Sequence, residues 1–295
     1  MIKRLLNELI YEELGININC DILFTGFVED ERQGTLSYLE NYKYLKTLNN
    51  NHNIVAAFVK NDMLKKLRSS IIPIVVEKPA ATFFDIHNKY CKKFLKYPDS
   101  EISKSAYIAP NAFIAPKGVI IGENVKIYSQ ATVFEGSEIG DNSSIGPGCV
   151  MGCEGFQFYD DIKGTKQLVT HDGLIKIGDN VDIEANSVIF KGLLGRDTII
   201  GDESKIGSLV FIAHGVKIGK RSSVAATACL SGSVQVGDDV WIGPQSVVSN
   251  GIIINDRVRI LMGAVVIGNV KSDSVVSGNF AVPHGKNLRL MAHKL

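Results

Sequence analysis

The sequence predicts a parallel β-helix preceded by a small α/β domain, and three observations support this prediction. Aliphatic residues recur at every sixth position through most of the chain after residue 100. A glycine often follows the aliphatic residue, as in the Ile-Gly pairs at Ile121, Ile139 and Ile200. The first 99 residues lack the repeat and combine amphipathic segments with short β-rich runs. A period of six fits neither an α-helix nor an isolated strand, so it indicates a solenoid of stacked coils.

Residues 1–99 are expected to form the α/β domain. Its predicted helices are MIKRLLNELIYEEL, KYLKTLNNN and residues 82–94, and its predicted strands lie in DILFTGFVE, IVAAFV and IPIVVE. Tyr38, Asn41 and Tyr44 recur in this domain at intervals of three. Aromatic rings can stack on a nucleobase and an amide can pair with its edge. The spacing alone favours a plainer interpretation, with one tyrosine in the core and the other on the surface.

Residues 100–270 are expected to form the β-helix. Aliphatic sixth positions run from Ile102 to Met151, from Ile177 to Ile189, and twelve times without a miss from Ile200 to Val266. Each hexad supplies one short strand with its aliphatic side chain inward, and three hexads close one triangular coil. The pattern predicts about eight coils, an insertion at 153–174 and a short C-terminal tail at 271–295.

Longer motifs give a closer resemblance. They are LSYLENYKYLKTL and VVEKPAATFFDI in the first domain, and GFQF at 155–158, IKIGDNVDIEANSVI at 175–189, IAHGVKIG at 212–219 and SGS at 231–233 in the β-helix. In these motifs the chain resembles the UDP-3-O-acylglucosamine N-acyltransferases of lipid A biosynthesis, which belong to the hexapeptide-repeat acyltransferases. The resemblance implies that the β-helix is left-handed, that three copies form a homotrimer, and that active sites lie between neighbouring prisms.

The resemblance also implies the site residues. Tyr38, Asn41 and Tyr44 match the positions that hold the uracil ring in that family, and His214 matches its catalytic base. Gly232 lies 18 residues beyond His214, one full coil, and matches the donor of an N–H to the oxyanion. Amide formation from a thioester needs such a base and such a donor.

Two further residues are candidates for a supporting role. Counting hexads places Lys191 one coil before His214, where a cation would favour the neutral imidazole that accepts a proton. Lys191 could equally bind a phosphate. His171, in the insertion, is the second candidate for the base, because loops leaving a rigid scaffold commonly shape sites.

The chain departs from the family pattern at three places. The aspartate expected seven residues before the histidine is Gly207, and the usual Asp-Arg-Gly is Phe-Lys-Gly at 190–192. The longer C-terminal extension, which the family uses to hold an acyl carrier protein, is largely missing. These departures favour a surface-polysaccharide enzyme that transfers an acyl group from acyl-CoA to the amine of a UDP- or dTDP-linked amino sugar. The alternative is the lipid A enzyme itself, with acyl-ACP as donor.

Other function classes are less well supported. A metal-dependent hydratase needs three converging histidines, but only His214 lies within the uninterrupted hexads, so we expect no metal site. A non-catalytic nucleotide-sugar-binding scaffold remains open. No phosphate-binding loop or dinucleotide fingerprint is present, so we expect no bound cofactor, with the acyl thioester acting as a co-substrate.

Composition sets the remaining limits. With 32 Lys+Arg against 31 Asp+Glu, the net charge of +1 argues against nucleic acid as a partner. No apolar run is long enough for a membrane span, and acidic residues interrupt the N-terminal segment. The five cysteines are scattered and are expected to be reduced thiols. We therefore expect a cytoplasmic protein.

Overall fold

The computed structural model describes residues 5–278 and divides them into two compact units. The first unit contains residues up to 98 together with 154–174 and 192–196. The second contains 99–153, 175–191 and the chain from 197 onward. The remaining residues of the predicted tail, 279–295, lie outside the described part of the chain.

The first unit is built on a four-stranded parallel sheet. Its strands, in spatial order, are β1 (Phe24–Thr25), β2 (Thr35–Leu39), β3 (Ile54–Val59) and β4 (Ile72–Val75). The helices are α1 (Leu5–Leu14), α2 (Leu45–Asn50) and α3 (Pro79–Phe94), with 3-10 turns at Tyr42–Tyr44 and Asn61–Lys66. Leu6, Leu9 and Ile10 form the buried face of α1, as the amphipathic pattern predicts. β2 is not among the predicted strands.

Residues 154–174 pack in this first unit, although the sequence analysis counts the insertion as part of the β-helix domain. The segment forms an antiparallel hairpin, Phe158–Asp160 with Lys166–Leu168. The Tyr159 hydroxyl donates to Asp85 at 2.7 Å, and the Asn88 side-chain amide donates to the Leu168 carbonyl at 2.8 Å. These are contacts with α3, which a local six-residue period does not reveal.

The second unit is a left-handed parallel β-helix with three faces. The first face contains Glu101–Ile102, Val119–Ile121, Ser137–Ile139, Ile175–Ile177, Thr198–Ile200, Lys217–Ile218, Gln235–Val236 and Ile253–Ile254. The second face contains Tyr107–Ile108, Lys126–Ile127, Ser144–Ile145, Asp182–Ile183, Lys205–Ile206, Ser223–Val224, Trp241–Ile242, Arg259–Ile260 and Val275–Val276. The third face contains Phe113–Ile114, Thr132–Val133, Val150–Cys153, Val188–Phe190, Phe211–Ile212, Cys229–Leu230, Val247–Val248 and Val265–Val266.

The repeat positions account for the core of this unit. Nearly every predicted sixth residue ends a short strand and is buried, and Ile127, Ile189, Ile212 and Leu230 are fully so. Burying one such side chain contributes about 1.5–3 kcal/mol, so the stacked aliphatic columns stabilise the coils. The β-helix continues past the predicted boundary at 270, because Val275–Val276 pairs with Arg259–Ile260.

Each coil turns its corners through a residue with positive φ. The residue lies three positions after the inward aliphatic side chain, and Asn180, Ser233 and Asp239 have φ of 57°, 60° and 57°. Asparagine and aspartate tolerate this left-handed conformation better than other side chains with a Cβ. The corners therefore share one backbone geometry, and the side chains placed on them differ.

Candidate active site

The turns that follow the third face carry the predicted catalytic residues. We call these turns the histidine corner, comprising residues 213–215, 231–233 and 249–251. The register pairs Ile212 with Leu230 and Leu230 with Val248. His214, Gly232 and Asn250 therefore stack one per coil.

The His214 ring lies directly over Gly232. A Cβ on Gly232 would be 2.7 Å from Cε1 and 2.8 Å from Nε2 of His214, and 2.9 Å from Nδ2 of Asn250. Only glycine leaves room for both side chains at this position. His214 is half-buried and Gly232 is buried, so the imidazole covers the Gly232 peptide.

The backbone around Gly232 is hydrogen-bonded except at one amide. The Ser231 N–H donates to Val248 O at 3.0 Å, and the Ser233 N–H donates to His214 O at 2.9 Å. The Gly232 carbonyl accepts from Gly251 N at 2.9 Å and from Asn250 Nδ2 at 2.6 Å. Within residues 5–278 the Gly232 N–H has no acceptor. A buried amide without a partner is unusual in a native protein, and it is available to a ligand.

Lys191 lies in register with His214, one coil back, because Ile189 pairs with Ile212. Lys191 is only 5% exposed. It follows Phe190, whose ring packs edge-on against Phe211 at 5.0 Å. The structure thus places Lys191 next to the histidine corner.

Gly207 lies in a tight contact between coils. A Cβ there would be 2.7 Å from the Ala226 amide nitrogen, so an aspartate at this position would force the backbone apart. The nearby carboxylate is Glu184, one coil back, whose Oε2 accepts from the N–H and the hydroxyl of Ser208 at 3.1 and 3.0 Å. The close packing of the two coils therefore explains why position 207 is a glycine.

His171 lies in the first unit and is fully buried. The Gly155 N–H donates to its Nε2 at 3.2 Å, and Nδ1 lies 2.9 Å from Val169 O and 3.0 Å from Glu154 Oε2. Both ring nitrogens contact groups of this loop, and a role for His171 as the base stays a prediction.

The three predicted uracil-binding residues lie at the end of β2 and in the turn after it. The half-buried Tyr38 ring packs against Phe83 and Phe84, with centroids 4.9 and 5.5 Å away. Burial, with smaller contributions from Glu40, Tyr44 and Glu29, raises the pKa of Tyr38 to about 12.

Tyr44 and Asn41 are exposed. Asn41 Oδ1 accepts from Lys43 N at 2.9 Å and caps the 3-10 turn Tyr42–Tyr44. The Lys43 ammonium lies 5.2 Å from the centroid of the Tyr44 ring. Tyr44 is thus the exposed ring of the two, with the Lys43 ammonium over it, whereas Tyr38 packs against two phenylalanines.

One cluster in the first unit has metal-ligand residue types. His87, Cys91 and Asp172 place donor atoms within 4.8 Å of one another. However, His87 Nδ1 lies 2.7 Å from the Thr25 hydroxyl and Nε2 lies 2.9 Å from Thr170 O. Both ring nitrogens are engaged, so this arrangement holds α3 to neighbouring segments. The five cysteines, all within residues 5–278, form no disulfide bond with one another.

Comparisons with known proteins agree with the repeat. The model described as "Bacterial transferase hexapeptide (six repeats)" matches residues 118–153 and 233–268. The model described as "Hexapeptide repeat of succinyl-transferase" matches 175–191 and 197–228. The UDP-N-acetylglucosamine acyltransferase of Francisella novicida is similar in structure, with a TM-score of 0.50, 24% identity and 65% of this chain and 71% of that chain covered. Fold and repeats define a left-handed hexapeptide-repeat β-helix protein.

Named relatives are similar to parts of the chain. The UDP-3-O-acylglucosamine N-acyltransferase of Rickettsia akari is 49% identical over 136 residues, which are 46% of this chain and 39% of that protein. The Rickettsia conorii enzyme of the same name is 46% identical over 86 residues, 29% of this chain and 24% of that protein. The UDP-N-acetylglucosamine O-acyltransferase of Moraxella catarrhalis has a TM-score of 0.47 and 28% identity, with 67% of this chain and 77% of that chain covered. The chain therefore carries the hexapeptide repeats of bacterial transferases, and its match spans about two fifths of the first relative's length.

Proposed function

We propose that this protein is an N-acyltransferase of the UDP-3-O-acylglucosamine type. One observation supports the chemistry above the others: the His214 ring lies over Gly232, whose N–H has no acceptor within residues 5–278. A base and an unused N–H donor in adjacent coils are the two groups that amide formation from a thioester requires.

The reaction would proceed by attack of the substrate amine on the thioester carbonyl. A C–N bond forms, His214 Nε2 takes the proton that the amine sheds, and the Gly232 N–H donates to the oxyanion. Collapse of the intermediate breaks the C–S bond, and the proton on His214 passes to the leaving thiolate. Atoms and charge balance without a bound cofactor, so the acyl thioester enters as a co-substrate.

The names of the relatives guide the proposal for the two substrates. The departures in the sequence favour an acyl-CoA-dependent polysaccharide enzyme, whereas the relatives carry the name of the alternative. The tight fit of Gly207 between coils also gives the missing aspartate a packing explanation, so this departure no longer favours the first version. We therefore propose UDP-3-O-acylglucosamine as acceptor and an acyl chain on a carrier protein as donor.

The nucleotide would bind to the first unit. We propose that the exposed Tyr44 ring stacks on the uracil and that Asn41 holds the turn that presents Tyr44, while Tyr38 backs the site against Phe83 and Phe84. Stacking of a base on an aromatic side chain is worth about 1–3 kcal/mol. Lys191 is proposed as a supporting cation beside His214.

Assembly as a homotrimer would cover the third face. The residue preceding each inward side chain on this face is uncharged in every coil: Phe113, Thr132, Val150, Val188, Phe211, Cys229, Val247 and Val265. Val247 and Val265 are 39% and 56% exposed. An apolar stripe of this length on a monomer marks an interface, and the histidine corner borders it.

A cytoplasmic location is consistent with the substrates proposed. Within residues 5–278 no helix has the length and apolarity to cross a bilayer.

Mass spectrometry of reaction mixtures tests the function. The full chain is incubated with UDP-3-O-acylglucosamine and either acyl carrier protein or coenzyme A carrying the same acyl chain. We expect an N-acylated product, faster with the carrier protein, and a kcat lower by about 10²–10⁴-fold in His214→Asn. Product from acyl-CoA and none from the acyl carrier protein would overturn the proposed donor. Binding of the nucleotide sugar without any acyl transfer would favour the interpretation as a non-catalytic scaffold over that as an enzyme.

A further inference from the structure

A second corner of the β-helix shows what the histidine corner lacks. We call the turns after the first face, residues 122–124, 140–142, 178–180, 201–203, 219–221, 237–239 and 255–257, the aspartate corner. At this corner an aspartate on one coil accepts the backbone N–H of the matching residue on the preceding coil. The pairs are Glu123 N to Asp141, Asp141 N to Asp179, Asp179 N to Asp202, Lys220 N to Asp238 and Asp238 N to Asp256, at 2.7–3.1 Å.

The two corners are equivalent in backbone. Each of these aspartates is the second residue after an inward aliphatic side chain, and so are His214, Gly232 and Asn250. The third residue has positive φ at both corners and donates its N–H to the preceding coil, as Asp239 N does to Lys220 O and Gly251 N does to Gly232 O. The same outward N–H therefore exists at both corners.

The side chain on the following coil decides what happens to that N–H. Asp238 Oδ1 accepts from Lys220 N at 2.8 Å. Asn250 occupies the matching place over Gly232, but its Nδ2 donates to Gly232 O at 2.6 Å. A carboxylate only accepts hydrogen bonds, whereas an amide also donates. Asn250 thus holds the Gly232 peptide by its carbonyl and leaves its N–H without an acceptor within residues 5–278.

We propose that Asn250 is the positioning residue of the oxyanion site: it replaces the aspartate cap with a bond to the carbonyl, which fixes Gly232 and keeps the N–H open to substrate. This inference rests on the proposed function for its catalytic consequence. The structural part, an uncapped amide held by an asparagine, stands without it.

The critical variant is Asn250→Asp, measured by kcat and by the thermal unfolding midpoint. The new carboxylate cannot donate to Gly232 O, so it should accept the Gly232 N–H as Asp238 accepts that of Lys220. We expect kcat to fall by about 10²–10³-fold, the loss that follows removal of an oxyanion donor. The unfolding midpoint should hold or rise, and the KM for the nucleotide sugar should stay within about twofold.

Two companion variants distinguish a positioning role of Asn250 from a purely structural one. Asn250→Ala loses one hydrogen bond but leaves the Gly232 N–H uncapped, so its kcat should fall by about tenfold or less. Asp238→Asn makes the reverse exchange at the aspartate corner and should lower the unfolding midpoint without changing kcat. If Asn250→Asp keeps kcat within about threefold of wild type, or if Asn250→Ala is equally damaging, the proposal is wrong.

Failure of the proposed function gives a different result. If the wild-type chain transfers no acyl group from either thioester, the proposed function is overturned and the variants have no kcat to compare. The capping exchange is then read from backbone amide exchange at Gly232, which should slow in Asn250→Asp. An unchanged Gly232 exchange rate would overturn the positioning role independently.

Discussion

The aspartate corner and the histidine corner carry one backbone with two chemistries. At the first, carboxylates on successive coils occupy outward N–H groups, as in the bonds from Asp141 N to Asp179 and from Lys220 N to Asp238. At the second, Asn250 donates to Gly232 O, and the Gly232 N–H has no acceptor within residues 5–278. The comparison teaches that the side chain on the following coil decides whether this backbone position serves stability or a site. Stability and activity should therefore respond oppositely to changes at the two corners.

The largest contrast should come from adding a methyl group at each corner. In Gly232→Ala the new Cβ meets side chains, His214 and Asn250, which can move aside. In Gly219→Ala it meets the backbone of Gly237 at 2.5 Å, which cannot. We expect Gly232→Ala to lower kcat by about 10²-fold or more by displacing the imidazole. Gly219→Ala should lower the free energy of unfolding by about 1–3 kcal/mol.

Denaturant titration and initial rates measure both effects. The folded fraction of Gly219→Ala should keep its kcat, because its strain lies at the corner without the site. Equal losses of stability in the two variants, with activity following the folded fraction, would mean that the corners do not differ.

A smaller effect is expected from truncating one cap. Asp179→Ala removes the carboxylate that accepts from Asp141 N at 2.8 Å. The exposed position lets water replace part of the bond, so the free energy of unfolding should fall by about 1 kcal/mol. The measurement is urea unfolding, with kcat unchanged as the internal control. A wild-type midpoint in Asp179→Ala would show that the caps contribute nothing to stability.

The smallest effect is a dependence of stability on acid. The hydrogen bond from Lys220, with the Asp179 amide second, holds the pKa of Asp202 below its usual value. The unfolded carboxylate therefore takes up its proton first as the pH falls. Its stabilisation is complete above the usual aspartate pKa, near 4, and is lost as the pH drops through the lower folded value.

Thermal unfolding between pH 6 and about 3 tests this sign. The midpoint of the wild type should fall more steeply than that of Asp202→Asn, which carries no titrating carboxyl. If the unfolding midpoints of the two proteins fall in parallel with pH, then Asp202 does not contribute to the loss of stability in acid.

The sequence predicts the β-helix well because its repeat is local. Each inward aliphatic residue fixes one strand, and 18 residues make a coil, so the stacking of Gly232 over His214 follows from counting. The same count continued once more reaches Asn250, a signal that the sequence analysis did not use. What counting cannot show is whether a side chain donates or accepts, and that distinction separates Asn250 from Asp238.

Long-range packing explains the other differences. Residues 154–174 contain no hexads, and their place in the first unit depends on Tyr159 and Asn88 meeting partners more than 70 residues apart in sequence. The burial of His171 arises in the same way, because its partners Glu154 and Gly155 lie at the other end of that loop. Gly207 resembles a lost aspartate in sequence, and only the approach of Ala226 shows why a glycine is there.

Residue-resolved amide hydrogen exchange of Gly232 and Lys220 tests the central claim most directly. Three proteins are compared: wild type, Asn250→Asp and Asp238→Asn. We predict that Asn250→Asp slows exchange at Gly232 by about tenfold or more, while Asp238→Asn speeds exchange at Lys220 by a similar factor. An exchange rate at Gly232 that is as slow as that of Lys220 in the wild type, and unchanged by Asn250→Asp, would contradict the claim that this corner keeps an amide open.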